Sequence, residues 1–277
     1  MGGVAEVLEA EASSVERARA LLADERPDLG ALDAIARHLL ERMRRRGPLS
    51  AVDGWLRSER EEILDDPAID PAVRERAMQR LERLTESSGA HLLFARAIDS
   101  ALGDVREPHI YEVAAGTGGL ARAVGERLRR RRPGLRWTIS DRDERVLAPS
   151  PSDPDWLRAE TRDLRAPGPL PEADLFLCVQ AAHHLPPGLV SLLLHRGAAA
   201  PCGLLLIDVH RGPLVAGLAA VAASVLARDR IVTLDGVQSA RRAFIPAELA
   251  LLARTAGLRV KGAGPLGPAY LQLSART

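Results

Sequence analysis

The hydrophobic pattern of the chain changes near residue 108. Before this point, apolar residues recur at helical spacing in three stretches: residues 13–25, 31–47 and 70–102. The second stretch is expected to end at its arginines and at Gly47-Pro48, and Asp70 followed by Pro71 is typical of a helix start. The pattern therefore predicts an all-helical region over residues 1–107.

After residue 108, short apolar runs alternate with helical segments. Four runs have the length and composition of buried strands: residues 109–114, 135–140, 173–179 and 203–209. This alternation is typical of a parallel sheet with helices on both faces. The last two apolar runs, 257–264 and 269–275, are separated by too few residues for a crossover helix, so they are expected to pair antiparallel. The pattern predicts a doubly wound α/β fold over residues 108–277.

Composition and charge narrow the class of protein. Hydrophobic residues make up 46% of the 277 residues, and the formal net charge of +1 shows no basic excess for nucleic acid. The most apolar stretch, residues 214–227, is shorter than the ~20 residues of a membrane-spanning helix, and the acidic start is unlike a signal peptide. Cys178 and Cys202 lie in apolar runs and are expected to be reduced core residues. We expect a soluble, cytoplasmic protein without a membrane or nucleic-acid partner.

A glycine-rich turn follows the first predicted strand, within residues 109–124 (HIYEVAAGTGGLARAV). Glycines between a strand and a helix let the backbone approach a ligand, and the free N–H groups of the helix start favour an anion or a hydroxyl. The stretch from Gly116 to Ala121 also fits G-x-G-x-x-A, the fingerprint of dinucleotide-binding enzymes. Glu112 argues against that interpretation, because a carboxylate inside a strand needs a donor, which a ligand with an amino group would supply.

The segment EVAAGTGG resembles the first motif of class I S-adenosylmethionine-dependent methyltransferases, in which alternate glycines follow an acidic residue. Glu112 corresponds to the acid, and Ala114 takes the place of the first glycine. The resemblance implies that the following residues bind S-adenosylmethionine: Glu112, Ala114, Gly116, Thr117 and Gly118.

The rest of the chain keeps the order of motifs in that family. The resemblance implies that cofactor binding continues with Asp141 and Arg142, Asp163 and Leu164, and Val179 and Gln180. Asp141 corresponds to the acid that holds the ribose hydroxyls, and Asp163 to the residue that contacts adenine. Two alternatives stay open for the second strand: Asp141 caps a helix, or Asp143 holds the ribose.

The resemblance also implies the complete fold. The family has a Rossmann-like sheet of seven mostly parallel strands with an antiparallel last strand. The predicted domain of residues 108–277 matches this sheet. The helical residues 1–107 are similar to the variable cap that these enzymes place over the acceptor site.

Adjacent histidines follow the strand that carries Val179. His184 and His183 are the candidates for a catalytic base, because imidazole can take a proton from a phenol or hydroxyl near neutral pH. The alternative is that the pair only shapes the loop. His210 and Arg211 follow the fifth strand of the resemblance, where they contact either the acceptor or the loop. No metal is expected, because the other histidines are scattered and adjacent residues rarely bind one ion.

The chain is therefore expected to transfer a methyl group from S-adenosylmethionine to a small-molecule acceptor by in-line displacement. The resemblance points to an acceptor of the phenol, quinone or natural-product type, as in secondary metabolism. Two other interpretations stay open: a nicotinamide-dependent oxidoreductase, and a non-catalytic methyltransferase-like binding domain. The sequence decides neither the acceptor nor whether the chain forms a homodimer.

Overall fold

The structure is a computed structural model and describes residues 2–46, 53, 55–66, 68–147, 153–222, 224 and 228–277. Seven strands form one sheet: β1 His109–Val113, β2 Arg136–Asp141, β3 Leu157–Thr161, β4 Leu175–Val179, β5 Leu204–Val209, β6 Arg259–Leu266 and β7 Tyr270–Arg276. Their order is β3-β2-β1-β4-β5-β7-β6, and only β7 runs against its neighbours. This confirms the predicted doubly wound sheet and its antiparallel last strand.

Helices precede and connect these strands. Those within the described residues are α1 Gly2–Ala10, α2 Ala12–Leu22, α3 Leu29–Arg46, α4 Pro71–Ser87, α5 Ala90–Leu102, α6 Gly119–Arg129, α7 Pro187–Gly197, α8 Pro213–Ala222, α9 Arg230–Arg242 and α10 Pro246–Thr255. Short 3₁₀ turns occur at Ile63–Asp65 and Ala182–His184. Within the described ranges, none of the helices has the length and apolar character needed to cross a membrane.

Local signals explain the ends of the predicted helices. The side chain of Asp70 accepts hydrogen bonds from backbone N–H groups in the first turn of α4, and Pro71 begins that helix. Helix α3 ends at Arg46, and its terminal arginines lie at the negative end of the helix dipole. The predicted stop at Gly47-Pro48 lies outside the described residues.

Each face of the sheet is covered by helices. Because side chains alternate along a strand, Tyr111 of β1 packs with α1–α3, α7 and α10, whereas Ile110 packs with α5 and α6 on the other face. Helices from both sides of the predicted 107/108 boundary therefore share the same two apolar layers. The division of the chain at that boundary stays a prediction.

A smaller assembly lies across the carboxyl ends of the strands. Residues 55–66, α4 and α9 meet in a minor apolar cluster around Ala77 and Val232. Asp235 of α9 accepts the backbone N–H groups of Ile63 and Leu64, at 2.8 and 2.9 Å. We call residues 55–66, α4 and α9 the edge cover. It brings side chains from distant parts of the chain to the edge at which parallel sheets bind ligands.

Candidate functional site

The glycine turn joins β1 to α6 at the carboxyl edge of the sheet. Gly116 and Gly118 have left-handed backbones, with φ of +56° and +74°. A Cβ atom on Gly118 would lie 2.4 Å from Cδ1 of Ile139 on β2, so both packing and backbone require glycine there. A Cβ atom on Gly116 would meet no atom of the described residues within 4 Å. The turn is therefore tight against the sheet at Gly118 and open above Gly116, where its backbone can meet a ligand.

Two residues with side chains also have left-handed backbones at this edge. Ala114 (φ +53°) follows β1 and Gln180 (φ +54°) follows β4, and these two strands are neighbours. A left-handed backbone costs such residues roughly 1–2 kcal/mol, and strain of this kind clusters where ligands bind. The strain thus lies on both sides of the point where the strand order reverses.

We expect Ala114→Gly to leave the free energy of unfolding unchanged or to raise it by up to ~1 kcal/mol. Glycine relieves the left-handed strain of the native chain, and its freedom in the unfolded chain offsets part of that gain. Ala123→Gly, at an exposed position within α6, is the control and should lower the same quantity by ~1 kcal/mol. Urea unfolding measures both changes. If Ala114→Gly lowers the free energy of unfolding as much as Ala123→Gly does, Ala114 does not have a left-handed backbone.

Glu112 is a buried acid inside β1, with 2% of its surface exposed. Its Oε2 accepts a hydrogen bond of 3.0 Å from the indole Nε1 of Trp137 on β2. Burial raises the pKa of Glu112 to about 8, although this hydrogen bond acts in the opposite direction. The carboxyl group of Glu112 therefore has almost no contact with solvent, and a cationic group beside it would favour its ionised form.

Asp141, the last residue of β2, connects the second strand to the glycine turn. Its Oδ2 accepts a hydrogen bond of 3.1 Å from the backbone N–H of Gly116, and its Oδ1 accepts one of 3.1 Å from the N–H of Asp143. Residues 142–147 contain no helix, so Asp141 is not a helix cap. The carboxylate of Asp143 pairs with Arg145 at 2.9 Å. The structure thus brings Asp141, and not the side chain of Asp143, to the glycine turn.

The loop after β3 lies beside β2. Arg162 donates its backbone N–H to the carbonyl oxygen of Asp141 at 2.8 Å. Further along this loop, the hydrogen-bonded guanidinium of Arg165 lowers the pKa of Asp163. Leu164 packs against the helical layer that contains Tyr111. The loop therefore lies near the glycine turn, with the carboxylate of Asp163 already in an ion pair.

The remaining predicted cofactor residues have different surroundings. Thr117 donates its Oγ1–H to Oε1 of Glu82 in α4 at 2.9 Å, so the edge cover contacts the glycine turn directly. Arg142 is exposed, whereas Val179 is 8% exposed within the apolar layer that also holds Trp137. Val179 therefore contributes to the site through the backbone end of β4 more than through a free side chain.

The adjacent histidines lie in the 3₁₀ turn after β4, and each is held by a carboxylate. Nδ1 of the buried His183 lies 2.7 Å from Oδ1 of Asp208 on β5, and its backbone N–H donates to Oδ2 of the same residue at 2.9 Å. Nδ1 of the partly exposed His184 lies 3.1 Å from Oδ2 of Asp65 in the edge cover. The Nε2 atoms of His183 and His184 lie 3.6 and 3.9 Å from the two carboxyl oxygens of Glu62.

The acids around this pair have opposite pKa shifts. Burial raises the pKa of Glu62 to about 7, although His184 and a hydrogen bond of 2.8 Å from Ser239 oppose the shift. Burial also acts to raise the pKa of Asp65, but His184 and Arg242 hold it well below its usual value. The cluster thus contains one acid that titrates near neutral pH and one that stays ionised.

Sequence reasoning missed the three acids of this cluster, which are Asp208, Glu62 and Asp65. Asp208 lies inside the buried run LLLIDV, and an acid there needs a partner, so this signal was available. Glu62 lies in the charged stretch SEREEILDD, where no pattern separates it from its neighbours. Only the folded chain brings Glu62 to the histidines.

Comparison with known proteins gives the fold a name. No protein-family model and no curated protein matches the sequence, but several solved structures resemble the fold. Human N-acetylserotonin methyltransferase, in complex with S-adenosylmethionine, is 23% identical over 85% of this chain and 67% of its own, with a TM-score of 0.54. The plantazolicin methyltransferase BpumL, in complex with a desmethyl-plantazolicin analogue and SAH, is 13% identical over 83% of this chain and 100% of its own, with a TM-score of 0.59. The chain has the fold of class I S-adenosylmethionine-dependent methyltransferases. CalO1, a methyltransferase of calicheamicin biosynthesis in its SAH-bound form, has a TM-score of 0.51 at 19% identity over 99% of this chain and 94% of its own.

In this methyltransferase fold, the polar residues at the carboxyl edge form two groups. Glu112, Asp141 and the glycine turn lie at the ends of β1 and β2, whereas His183 and His184 follow β4. The strand order reverses between β1 and β4, which separates the two groups. The edge cover contacts both.

Arg211 belongs to the framework of the methyltransferase fold. Its side chain is 1% exposed, and its guanidinium binds the carboxylates of Asp53 and Glu248 at 2.8 and 2.7 Å. His210 beside it is half-buried, and burial lowers its pKa. Of the two roles considered for Arg211, the described contacts are those of loop and helix stabilisation.

Proposed function

We propose that the chain transfers a methyl group from S-adenosylmethionine to a small-molecule acceptor. The observation that carries the proposal is the hydrogen bond from the backbone N–H of Gly116 to Asp141. It brings the acid that corresponds to the ribose-binding residue of these methyltransferases against the open glycine turn. The buried carboxyl group of Glu112 lies in the strand that enters the same turn. Two structural neighbours, the human enzyme and CalO1, are complexes with S-adenosylmethionine and SAH.

The residues present fit this cofactor. Glu112 offers a buried carboxyl group to the ammonium group of the methionine part, and Asp141 offers carboxylate oxygens to the ribose hydroxyls. Asp163 and Leu164, in the loop beside Asp141, are the proposed contacts of the adenine ring. When bound, S-adenosylmethionine supplies an activated methyl group on a positively charged sulfur.

The histidine group and the edge cover are proposed to serve the acceptor. His183 and His184 activate its nucleophilic atom, and the edge cover restricts its orientation and excludes water. The names of the neighbours support an acceptor of natural-product or aromatic type, since they act on N-acetylserotonin or plantazolicin or belong to calicheamicin biosynthesis. We propose the cytoplasm as the site of this reaction, as expected from the sequence.

Isothermal titration with S-adenosylmethionine, its demethylated product and NAD tests the proposal. We expect the first two to bind with one equivalent per chain and NAD not to bind. Binding of NAD alone would replace the proposal with the oxidoreductase interpretation. Binding of both adenosyl compounds without turnover on a panel of phenols and quinones would favour a non-catalytic binding domain.

We expect Asp141→Asn to weaken binding of S-adenosylmethionine by roughly 1–3 kcal/mol, because charge-assisted hydrogen bonds to the ribose become neutral ones. Asp143→Asn is the matched control, since that carboxylate pairs with Arg145 and leaves the turn to Asp141. The same titration measures both dissociation constants. If Asp143→Asn loses more affinity for S-adenosylmethionine than Asp141→Asn, Asp143 and not Asp141 contacts the ribose.

A further inference from the structure

The imidazoles of His183 and His184 both face the buried carboxyl group of Glu62 with their Nε2 atoms. The Nε2 atoms of His183 and His184 lie 3.6 and 3.9 Å from the oxygens of Glu62, whose side chain is 7% exposed. Hydrogen bonds to nitrogen are normally 2.7–3.2 Å long, so both distances are too long for ordinary hydrogen bonds. The hydrogen bonds of these imidazoles within the described part of the chain involve Nδ1, and neither Nε2 atom has a hydrogen-bond partner there.

The spacing of these atoms is close to that of donors around one ion. One donor atom from each of Glu62, His183 and His184 can be chosen so that all three lie within 4.8 Å of one another. An ion at about 2.1 Å from each ligand holds neighbouring donors roughly 3–3.4 Å apart. Side-chain movements of about 1–1.5 Å would therefore close the three groups on an ion.

Both histidines carry the carboxylate support that is typical of metal ligands. Asp208 binds Nδ1 of His183 at 2.7 Å, and Asp65 binds Nδ1 of His184 at 3.1 Å. Such contacts fix the ring orientation and leave Nε2 as the free donor. A hydrogen bond from Ser239 holds Glu62 in turn. All three prospective ligands thus have a second residue that positions them.

We propose that Glu62, His183 and His184 bind a divalent transition-metal ion. Imidazole nitrogen and carboxylate oxygen are donors that Zn²⁺ and neighbouring first-row ions accept, and three protein ligands leave coordination positions open. The sequence-based expectation of no metal rests on the scattered histidines and on the rarity of adjacent ligands to one ion, and it does not include Glu62. The edge cover supplies this third ligand from a distant part of the chain.

The role of the ion rests on the proposed function. The three residues lie on the β4 side of the strand reversal, opposite the glycine turn and Asp141. With the ion bound, both nitrogens of each imidazole are occupied, so His183 and His184 would act on the acceptor through the ion and not as bases. An acceptor hydroxyl in an open position would release its proton to solvent more readily and react with the methyl group as the oxyanion. Binding of the ion by itself does not depend on that reaction.

Titration of the full chain with Co²⁺ and with Zn²⁺ tests the site. We expect one equivalent of Co²⁺ with visible d–d absorption, and its displacement by Zn²⁺. Glu62→Gln and His184→Gln should each raise the dissociation constant for Zn²⁺ by at least about tenfold. His38→Gln is the control, because His38 pairs with the carboxylate of Glu11 on the surface at 3.0 Å and should leave the constant unchanged.

Thermal unfolding and S-adenosylmethionine binding are measured on the same samples. His184 is the most exposed ligand, at 33% of its side chain, so His184→Gln keeps the test valid if Glu62→Gln does not fold. Zn²⁺ binding that is absent from the unmodified chain, or equally strong in a folded His184→Gln variant, would overturn the metal site. If the unmodified chain binds Zn²⁺ but does not bind S-adenosylmethionine, the proposed function is overturned and the metal site is retained.

Discussion

Glu112→Gln is expected to weaken binding of S-adenosylmethionine by roughly 10–100-fold at pH 9, because glutamine cannot form the charge-assisted hydrogen bond to the ligand's ammonium group. The replacement keeps the shape of the side chain and an oxygen that can accept the indole N–H of Trp137, as Oε2 of Glu112 does. Folding is therefore expected to be preserved. Isothermal titration of S-adenosylmethionine into Glu112→Gln and into the control Glu126→Gln, which changes an exposed residue of α6, measures the effect.

Glu112→Gln should also remove the part of the pH dependence of S-adenosylmethionine binding that arises from the titration of Glu112. Burial raises the pKa of Glu112 to about 8, so in the free protein the group is neutral at pH 6 and ionised at pH 9. A cationic ligand binds the ionised form, so the ratio of the two dissociation constants, variant to unmodified, should grow between pH 6 and pH 9. The amino group of the ligand itself loses its proton at about pH 8. When both proteins bind only the ammonium form, this deprotonation of the free ligand lowers both affinities by the same factor and drops out of the ratio. A ratio that is constant with pH would mean that Glu112 does not act as a charge.

The stability of the ligand-free chain gives a second check on Glu112. Its pKa in the folded state is above that of an unfolded glutamate, near 4.5, so the native chain holds its proton more tightly. The stability that this provides is complete below pH 4.5 and is lost as the pH rises through about 8. We expect the free energy of unfolding of Glu112→Gln to fall less steeply over that range, by up to ~1.4 kcal/mol per pH unit.

Most of the sheet could be predicted because its central strands carry strong local patterns. β1, β4 and β5 are buried along nearly their whole length, so apolar residues dominate their sequences, although Glu112 interrupts the run of β1 and Asp208 that of β5. β3 (Leu157–Thr161) carries no such pattern, because it is a strand at the edge of the sheet in which only Leu157 is buried. Helix α1 and the helices after β5 were also not assigned from the pattern.

The two halves of the candidate site differed in how far sequence reasoning could find them. Glu112 lies near the end of β1 and Asp141 ends β2, the next strand, so a short stretch of sequence contains both acids and the glycine turn. The histidine group depends on contacts between distant segments: Glu62 reaches His183 from the edge cover, and Asp208 reaches it from β5. Periodicity and motifs describe neighbours in sequence, and such contacts become visible only once the strand order is known.

Glu248→Ala is expected to lower the free energy of unfolding by about 3–5 kcal/mol, the cost of breaking a buried ion pair. Glu248 is fully buried in α10, where Oε1 accepts hydrogen bonds from Arg211 at 2.7 Å and Arg44 at 2.6 Å. Its removal leaves two guanidinium groups with little access to water and without this partner. The contacts join α3, α10 and the loop after β5, so the loss should affect the whole chain in one unfolding transition.

Urea unfolding at pH 7 measures the effect, and Glu41→Ala is the matched control. Glu41 pairs with Arg45 at 2.5 Å on the surface, where solvent screens both groups, so no resolvable change is expected. Although burial opposes it, the pair with Arg211 and Arg44 lowers the pKa of Glu248 below its unfolded value. Its contribution is therefore complete above pH 4.5 and is lost as the pH falls through the folded pKa. The difference between Glu248→Ala and the unmodified chain should shrink under acid; a difference that is constant down to pH 3 would mean that packing, and not charge, is what Glu248 supplies.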